Sequence, residues 1–280
     1  MSKNYLIYPC KTMRITQSYT GTTSHLPHTT GSPKDYPWDE GCSGSGRDYC
    51  YCPCDEMIVK RITGVGNGYT NTIWLESTTP VNFADGTEDY CTMLITHPND
   101  DDLKEIDVGD TFKRGEEICR EGKDGATGYH FHFSAGKGKF RGNGWTGNSK
   151  GKYVLTTTNG TYKPEKLFYV DPAFTKISNS KGLKFENLPK EYELGKYVVD
   201  VDLLNIRKGP GTEYPRKKYH ELSKKAQRVI KQLTGGREAD GYVKGQEFTV
   251  CKIKNGCWGY NASGYMCLDY CTKIEEVQKS

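Results

Sequence analysis

Short runs of β-forming residues separated by glycine-rich turns fill the first 180 positions, and they constrain the fold more than any other feature. Turn signals such as the glycine cluster at residues 64–68 recur about every 8 to 12 residues. The runs between them, at residues 57–62, 70–75, 92–97 and 129–134, are rich in strand-forming side chains. This spacing predicts an all-β first domain, with no helix before residue 180 apart from a possible turn around residues 101–104.

The pattern changes between residues 179 and 194, where polar and charged residues and Pro189 interrupt the β-rich runs. We therefore predict a linker at residues 179–194 between a first domain of residues 1–178 and a second domain of residues 195–280. The second domain is again rich in strand patterns. It has one predicted amphipathic helix at residues 217–233, where apolar residues recur at three- and four-residue spacings and a glycine pair follows.

Charge and hydropathy exclude several classes of protein. The net charge of +4 is too small to indicate nucleic-acid binding, although a mildly basic surface suits an anionic polymer. No apolar run approaches the roughly 18 residues of a membrane span, so we expect no membrane insertion. The N-terminal residues lack the apolar core and cleavage site of a secretory signal, which predicts synthesis in the cytoplasm.

Eleven cysteines are present, an odd number that cannot pair completely within one chain. Disulfide-stapled secreted domains are usually shorter, so we interpret most of these cysteines as reduced, buried residues. Cys50, Cys52 and Cys54 alternate, which predicts a core-facing strand edge. A structural zinc site is the alternative, but Cys-x-Cys lacks the two-residue gap that is common in such sites.

Two of the six histidines, His130 and His132, lie two residues apart in a β-like run. Side chains at i and i+2 of a strand project from the same face, so both imidazoles point the same way while Phe131 and Phe133 point into the core. Two imidazoles on one face form half of a metal site, and zinc binds neutral imidazole readily. Taken alone, the pattern fits a pair of exposed surface histidines equally well.

The residues that precede the histidine pair resemble a known family. The sequence VGDTFKRG at residues 108–115 is followed by GATG at residues 125–128 and then by His130 and His132. This order resembles the C-terminal half of the lysostaphin/LytM-type zinc metalloendopeptidases, in which a glycine-bounded turn is followed by G-x-T-G and H-x-H. Lipoyl-type carrier barrels share a related turn but lack the His-x-His motif.

Three further residues extend this resemblance to roughly residues 10–175. The alternating run CTMLITH ends in His97 and resembles the family's middle strand, which also ends in a histidine. Upstream, GTTSH ends in His25 and DYPWD ends in Asp39, and together they resemble the family's S-H and D element. The resemblance therefore implies an antiparallel β-sheet metallopeptidase domain.

The first of these ligand positions has two candidates. The family places its histidine and aspartate only a few residues apart, whereas here Asp39 lies fourteen residues after His25 and eleven after His28, so a loop must be inserted. His25 is preferred because Ser-His after a glycine turn matches the family better, and His28 is the alternative. Asp35 is a weaker alternative to Asp39.

The resemblance implies the chemistry of the site. His25, Asp39 and His132 are its implied zinc ligands, and His97 and His130 are its implied catalytic residues. Two histidines and one aspartate leave the fourth position of a tetrahedral zinc ion open for water, which is typical of a catalytic site. Zinc lowers the pKa of that water from about 15.7 to about 7. One catalytic histidine then accepts a proton and the other stabilises the intermediate or protonates the leaving amine.

The second domain resembles a different family. The sequence LNIRKGPGTEY at residues 204–214, with GCWGY at 256–260 and GYMCL at 264–268, is similar to the signature of bacterial SH3-type domains. This resemblance implies a small SH3-like β-barrel with the helix as an insertion, and it implies binding to the cell wall. The sixth histidine, His220, lies in this domain and is expected to have no catalytic role.

The two domains together resemble phage endolysins of Gram-positive hosts. This resemblance implies a zinc endopeptidase that cleaves peptide bonds of bacterial peptidoglycan and reaches the wall through a phage-made pore. The alternative function is a catalytically inactive wall-binding or morphogenetic protein on the same fold. Because every required ligand type is present, the sequence favours the enzyme.

Overall fold

Short strands of alternating apolar and polar residues recur along the chain in the computed structural model. The structure describes residues 3–20, 25, 35–41, 47–147, 153–179 and 181–274. The chain divides into two compact units, Met1–Leu188 and Pro189–Ser280. The predicted linker residues 179–194 are therefore shared between them. Among the described residues, no helix is long and apolar enough to span a bilayer.

The first unit consists of fourteen strands and two single-turn helices within its described residues. The strands are β1 (Thr12–Gln17), β2 (Trp38–Glu40), β3 (Tyr49–Tyr51), β4 (Glu56–Thr63), β5 (Thr72–Ser77), β6 (Val81–Asn82), β7 (Glu88–Asp89), β8 (Cys91–Thr96), β9 (Thr111–Lys113), β10 (Glu117–Arg120), β11 (Phe131–Lys137), β12 (Phe140–Gly147), β13 (Tyr153–Thr157) and β14 (Lys176–Asn179). The helices are α1 (Asp100–Leu103) and α2 (Pro164–Leu167).

Eight of these strands form one sheet in the order β14-β1-β2-β11-β8-β5-β4-β9. Every neighbouring pair in it is antiparallel except β1 and β14. The four predicted strand runs correspond to β4, β5, β8 and β11, and each observed strand begins within two residues of its predicted start. The prediction of a mostly β, largely antiparallel chain is confirmed.

Aromatic side chains of adjacent strands pack beneath the centre of this sheet. Trp38 of β2 is fully buried and lies against Phe133 of β11, with 5.1 Å between the ring centroids. Phe131 of β11 is also fully buried and lies 5.1 Å from the ring of Phe133. Burying aromatic side chains contributes most of the stability of such a core, so this packing fixes which face of β2 and β11 points inward.

The cysteine cluster departs from its prediction in part. Cys50, Cys52 and Cys54 are all buried, as expected. However, β3 ends at Tyr51, and only Cys50 lies in a strand. Pro53 explains the early end, because proline has no backbone N–H to donate to a sheet. None of the ten cysteines in the described residues forms a disulfide.

Between residues 189 and 274, the described part of the second unit has eight strands in three small antiparallel sheets. The strands are β15 (Gly195–Val199), β16 (Leu203–Leu204), β17 (Tyr242–Val243), β18 (Glu247–Val250), β19 (Lys252–Lys254), β20 (Trp258–Asn261), β21 (Gly264–Cys267) and β22 (Cys271–Lys273). Their orders are β18-β15-β22, β16-β17 and β19-β20-β21. Its helices are α3 (Lys224–Leu233) and two 3-10 turns, Tyr219–Glu221 and Leu268–Tyr270. Its assignment to the SH3 type stays a prediction.

The predicted helix at residues 217–233 starts too early. The α-helix α3 begins only at Lys224, because Ser223 adopts an extended backbone and its hydroxyl accepts a hydrogen bond from the Ala226 N–H at 3.2 Å. This is the contact by which serine caps a helix N-terminus. From there α3 buries Ala226 and Ile230 in the core of the second unit.

Replacing Ser223 with alanine removes this cap, and we expect it to destabilise α3 by about 1 kcal/mol. Hydrogen exchange of the backbone amides at residues 224–233, followed by mass spectrometry, measures the change. Ser223→Thr keeps the hydroxyl and is the matched control, for which we expect near wild-type exchange. Equal exchange in Ser223→Ala and the wild type would show that the cap contributes nothing.

Candidate metal centre

The register between β2 and β11 places an aspartate directly opposite a histidine. Asp39 and His132 are paired residues of this antiparallel ladder, and directly opposite side chains lie on the same face of the sheet. Asp39 Oδ1 and His132 Nδ1 are 3.0 Å apart. Because Trp38 and Phe133 occupy the buried face, Asp39 and His132 occupy the other one.

His25 lies outside the sheet and completes a cluster of three donor atoms. Its Nε2 is 3.1 Å from Asp39 Oδ1 and 3.2 Å from His132 Nδ1. His25 is fully buried, whereas His132 is partly exposed, so the cluster has one open side. The structure thus brings the three predicted ligands together.

The separations within this cluster fit a tetrahedral metal ion. Metal–ligand distances of about 2.0–2.2 Å for nitrogen and oxygen place two ligands of a tetrahedral zinc about 3.2–3.6 Å apart. The observed separations of 3.0, 3.1 and 3.2 Å are close to this range. Two imidazole nitrogens and one carboxylate oxygen are also a donor set that zinc accepts.

Polar neighbours hold the ligands in this orientation. The Nδ1 of His25 lies 2.9 Å from the carbonyl oxygen of Ser18, so Nδ1–H donates there and Nε2 is the ring nitrogen that faces the cluster. Gln17 donates from Nε2 to Asp39 Oδ2 at 3.0 Å, which leaves Oδ1 for the two histidines. Ligands held by such contacts need little rearrangement when a metal binds.

Two consecutive carboxyl groups, Asp39 and Glu40, have pKa values shifted in opposite directions. Burial acts to raise the pKa of Asp39, but hydrogen bonds and charges of His132 and His25 outweigh it and hold the pKa well below its ordinary value. Glu40 points into the core, where burial raises its pKa to about 8 although Tyr8 donates to it. Asp39 is therefore ionised at neutral pH, whereas Glu40 is mostly protonated.

His97 and His130 lie beside the ligand cluster with their ring centroids 4.6 Å apart. The Nδ1 of His97 is 2.7 Å from the carbonyl oxygen of Asp124, and the Nδ1 of His130 is 2.9 Å from that of Gly128. These contacts direct each Nδ1–H to the backbone and leave each Nε2 with the lone pair. His130 Nε2 lies 4.0 Å from Asp39 Oδ1.

The backbone of His97 has a left-handed conformation, with a φ angle of 83°. This conformation is rare for residues other than glycine, and strained residues cluster at functional sites. The segment at Gly122 packs against it so closely that a Cβ atom there would lie 2.0 Å from the His97 carbonyl oxygen. Glycine is therefore required at residue 122 to hold His97 in place.

The other sequence candidates take different positions. Asp35 is buried and is not part of the cluster; its Oδ2 accepts hydrogen bonds from the Ser134 hydroxyl and the Leu155 N–H. His28 lies outside the described residues. His220 is exposed and lies in the second unit.

Sequence reasoning missed the partners that orient the site. Gln17 carries no motif that marks it as a partner of Asp39. The carbonyl groups of Ser18, Asp124 and Gly128 belong to the backbone, so their side chains give no signal. Gly122 is one of 32 glycines, and nothing in the sequence distinguishes it.

Burial lowers the pKa of His97 from its ordinary 6.5 to about 4. We therefore expect its imidazole in the metal-free chain to stay neutral until the pH falls to about 4, as measured by NMR of the ring nitrogens. Between pH 6.5 and 4 the unfolded chain binds more protons, so this residue should make the free energy of unfolding fall as the pH falls. A midpoint near 6.5 would contradict the burial of His97.

No protein-family model and no curated protein matches the chain. Among solved structures, it is similar to lysostaphin in solution (13% identity over 88% of this chain and 83% of that one, TM-score 0.29). It is also similar to the antimicrobial peptidase lysostaphin from Staphylococcus simulans (14% identity over 91% of this chain and 87% of that one, TM-score 0.34). A third similar structure is Helicobacter pylori Csd3, with 16% identity over 57% of this chain and 35% of that one and a TM-score of 0.29. Such low TM-scores leave the function to be argued from the site itself.

Proposed function

We propose that the first unit is a zinc-dependent endopeptidase that cleaves peptide bonds of bacterial peptidoglycan. The observation that carries this proposal is the cluster of His25, Asp39 and His132, whose donor atoms lie 3.0–3.2 Å apart with two further histidines beside them. A structural zinc site normally has four protein ligands, whereas a catalytic site has three. Within the described residues this cluster has three.

The proposed zinc would be held by these three side chains. When bound there, it would supply a Lewis acid that makes hydroxide available near neutral pH. The ionised Asp39 offers a negative charge to the cation, and His25 and His132 offer ring nitrogens. The partial exposure of His132 keeps the cluster accessible to a substrate.

The two remaining histidines would carry the proton transfers. His97 is neutral at pH 7 because burial lowers its pKa to about 4, so its Nε2 has a lone pair that can accept a proton from the attacking water. His130 directs its Nε2 toward the ligand cluster. There it would donate a hydrogen bond to the developing oxyanion when protonated. The proton that His97 accepts from the water would then pass to the leaving amine, which returns His97 to its neutral form.

The wall as substrate is supported by the sequence motifs. The glycine-bounded turn, G-x-T-G and H-x-H resemble those of peptidases that act on peptidoglycan. In the second unit, residues 204–214 resemble the signature of SH3-type wall-binding domains, and we propose that this unit binds the wall. We further propose that the protein acts as a phage endolysin, released to the wall through a phage-made pore.

Replacing His132 with alanine removes one ligand, and we expect it to abolish both zinc binding and lysis. Zinc content of the purified chain and the loss of turbidity of Gram-positive cell walls, with and without a chelator, measure the two effects. His220→Ala changes an exposed histidine of the second unit and is the matched control. Wall binding by the wild type without lysis or metal would favour an inactive wall-binding protein instead.

Replacing His97 with alanine should separate catalysis from metal binding. We expect His97→Ala to keep stoichiometric zinc and to lose lytic activity by about 100-fold or more, because general acid–base catalysis typically contributes that much. Zinc analysis and turbidity assays on the same preparation test both parts. If His97→Ala also loses zinc, His97 is a ligand and the division of roles proposed above is wrong.

A further inference from the structure

A second cluster of metal-binding side chains lies in the second unit, at the end of the β20–β21 hairpin. The sulfur atoms of Cys257 and Cys267 are 3.2 Å apart, and Cys267 Sγ is 3.4 Å from Asp269 Oδ2. One donor atom from each of the three residues lies within 4.8 Å of the others. None of the three belongs to the proposed catalytic site, although Cys257 and Cys267 lie within the two segments that resemble an SH3-type domain.

The separations suit a tetrahedral ion with mixed sulfur and oxygen ligands. Zinc–sulfur distances of about 2.3 Å place two thiolates about 3.7–3.8 Å apart, and a thiolate and a carboxylate oxygen about 3.5 Å apart. The observed 3.4 Å between Cys267 and Asp269 is close to this value. The two sulfurs would have to separate by about half an ångström, which small side-chain rotations provide.

The backbone holds these donors in position. Cys257 follows a tight turn in which Asn255 and Gly256 both have left-handed φ angles, 47° and 74°. The carbonyl group of Cys257 accepts a hydrogen bond from the Leu268 N–H at 2.8 Å, which fixes it beside the end of β21. Cys267 is the last residue of β21, so both thiols are held by one hairpin.

Tyr192 orients the carboxylate of Asp269. Its hydroxyl donates a hydrogen bond to Asp269 Oδ1, which leaves Oδ2 facing the sulfur of Cys267. A metal-ligating carboxylate is commonly fixed in this way by a neighbouring hydrogen-bond donor. Cys257 and Cys267 are partly exposed and Asp269 is exposed, so an ion and a water ligand can reach the cluster from solvent.

We propose that Cys257, Cys267 and Asp269 bind a divalent cation of the zinc class, with solvent as the fourth ligand. Two thiolates and a carboxylate favour such an ion over magnesium or calcium, which prefer all-oxygen sites. A disulfide is the competing fate of the cysteine pair, but it would leave Asp269 Oδ2 facing a group with no proton to donate. The ion would tie the β20–β21 hairpin through Asp269 to Tyr192, as a staple for a small β-unit.

Cobalt(II) is the probe for this site. The full-length, metal-free chain, kept in a reductant, is titrated with Co²⁺ while the near-ultraviolet thiolate-to-cobalt charge-transfer absorption is recorded. We expect this absorption in the wild type and its loss in Cys257→Ser and Cys267→Ser. Cys251→Ser is the matched control, because this exposed cysteine lies outside the cluster. We expect it to keep the charge-transfer absorption of the wild type.

The same titration distinguishes this site from the proposed catalytic one. His132→Ala should keep the charge-transfer absorption, since its site contains no thiolate. Failure of the proposed peptidase activity would therefore leave this result unchanged. Tyr192→Phe should weaken cobalt binding by about 10–100-fold, as expected when the orienting partner of a ligand is lost.

Two results would overturn the proposal. One is a reduced wild-type chain that gives no charge-transfer absorption, including the case in which Cys257 and Cys267 only form a disulfide on exposure to air. The other is absorption that persists in the serine variants, which would assign it to other cysteines. Far-UV circular dichroism of each variant separates loss of metal binding from loss of folding. Asp269→Asn is a further variant, chosen because Asp269 is exposed and its replacement should not disturb the core. We expect Asp269→Asn to fold normally and to bind cobalt at least about 10-fold more weakly.

Discussion

The pairing of β2 with β11 is the constraint on which the candidate metal centre depends. It sets Asp39 opposite His132 on one face and packs Trp38 against Phe133 on the other. A slip of one residue would bring Asp39 and His132 into the core and expose the aromatic rings, so the packing that stabilises the sheet also fixes the ligands. The free energy of the core thus maintains the geometry of the site.

Burial acts on both faces of this strand pair, with different results. On the site face, Asp39 stays ionised because two histidines compensate for its loss of solvent. On the core face, Glu40 has the hydroxyl of Tyr8 as its side-chain partner and remains mostly protonated at neutral pH. Adjacent carboxyl groups therefore differ in charge: Asp39 keeps a negative charge in the candidate metal centre, and Glu40 satisfies polar groups inside the core.

The sequence predicted those parts of the structure that depend on local periodicity. Alternation along residues 129–134 was enough to place His130 and His132 on one face and the phenylalanines in the core. His132 and Asp39 lie 93 positions apart, and strand register across that distance leaves no local signal. Their prediction as ligands of one site therefore depended on the family resemblance. The left-handed backbone of His97 has no signal either, since it is imposed by packing against Gly122.

Two predictions were wrong because the hydrogen-bonding properties of a single residue outweighed the spacing of its apolar neighbours. Apolar spacing extended the helix of the second unit back to residue 217, but spacing does not report the extended backbone and the capping hydroxyl of Ser223. In the same way, alternation of Cys50, Cys52 and Cys54 predicted one strand edge, and Pro53 ended the strand between them. In both cases one residue with a specific hydrogen-bonding property outweighed a pattern of hydrophobicity.

The alternation along β11 also separates the residues that stabilise the first unit from a residue of the candidate metal centre. Phe131, Phe133 and Ala135 maintain the shape of the unit, while His132 lies on the opposite face and contributes nothing to the aromatic core. His132 can therefore be replaced while the sheet persists. A change at this position would remove one proposed zinc ligand and leave the aromatic core in place, so the chemistry of the site can diverge while the fold is kept.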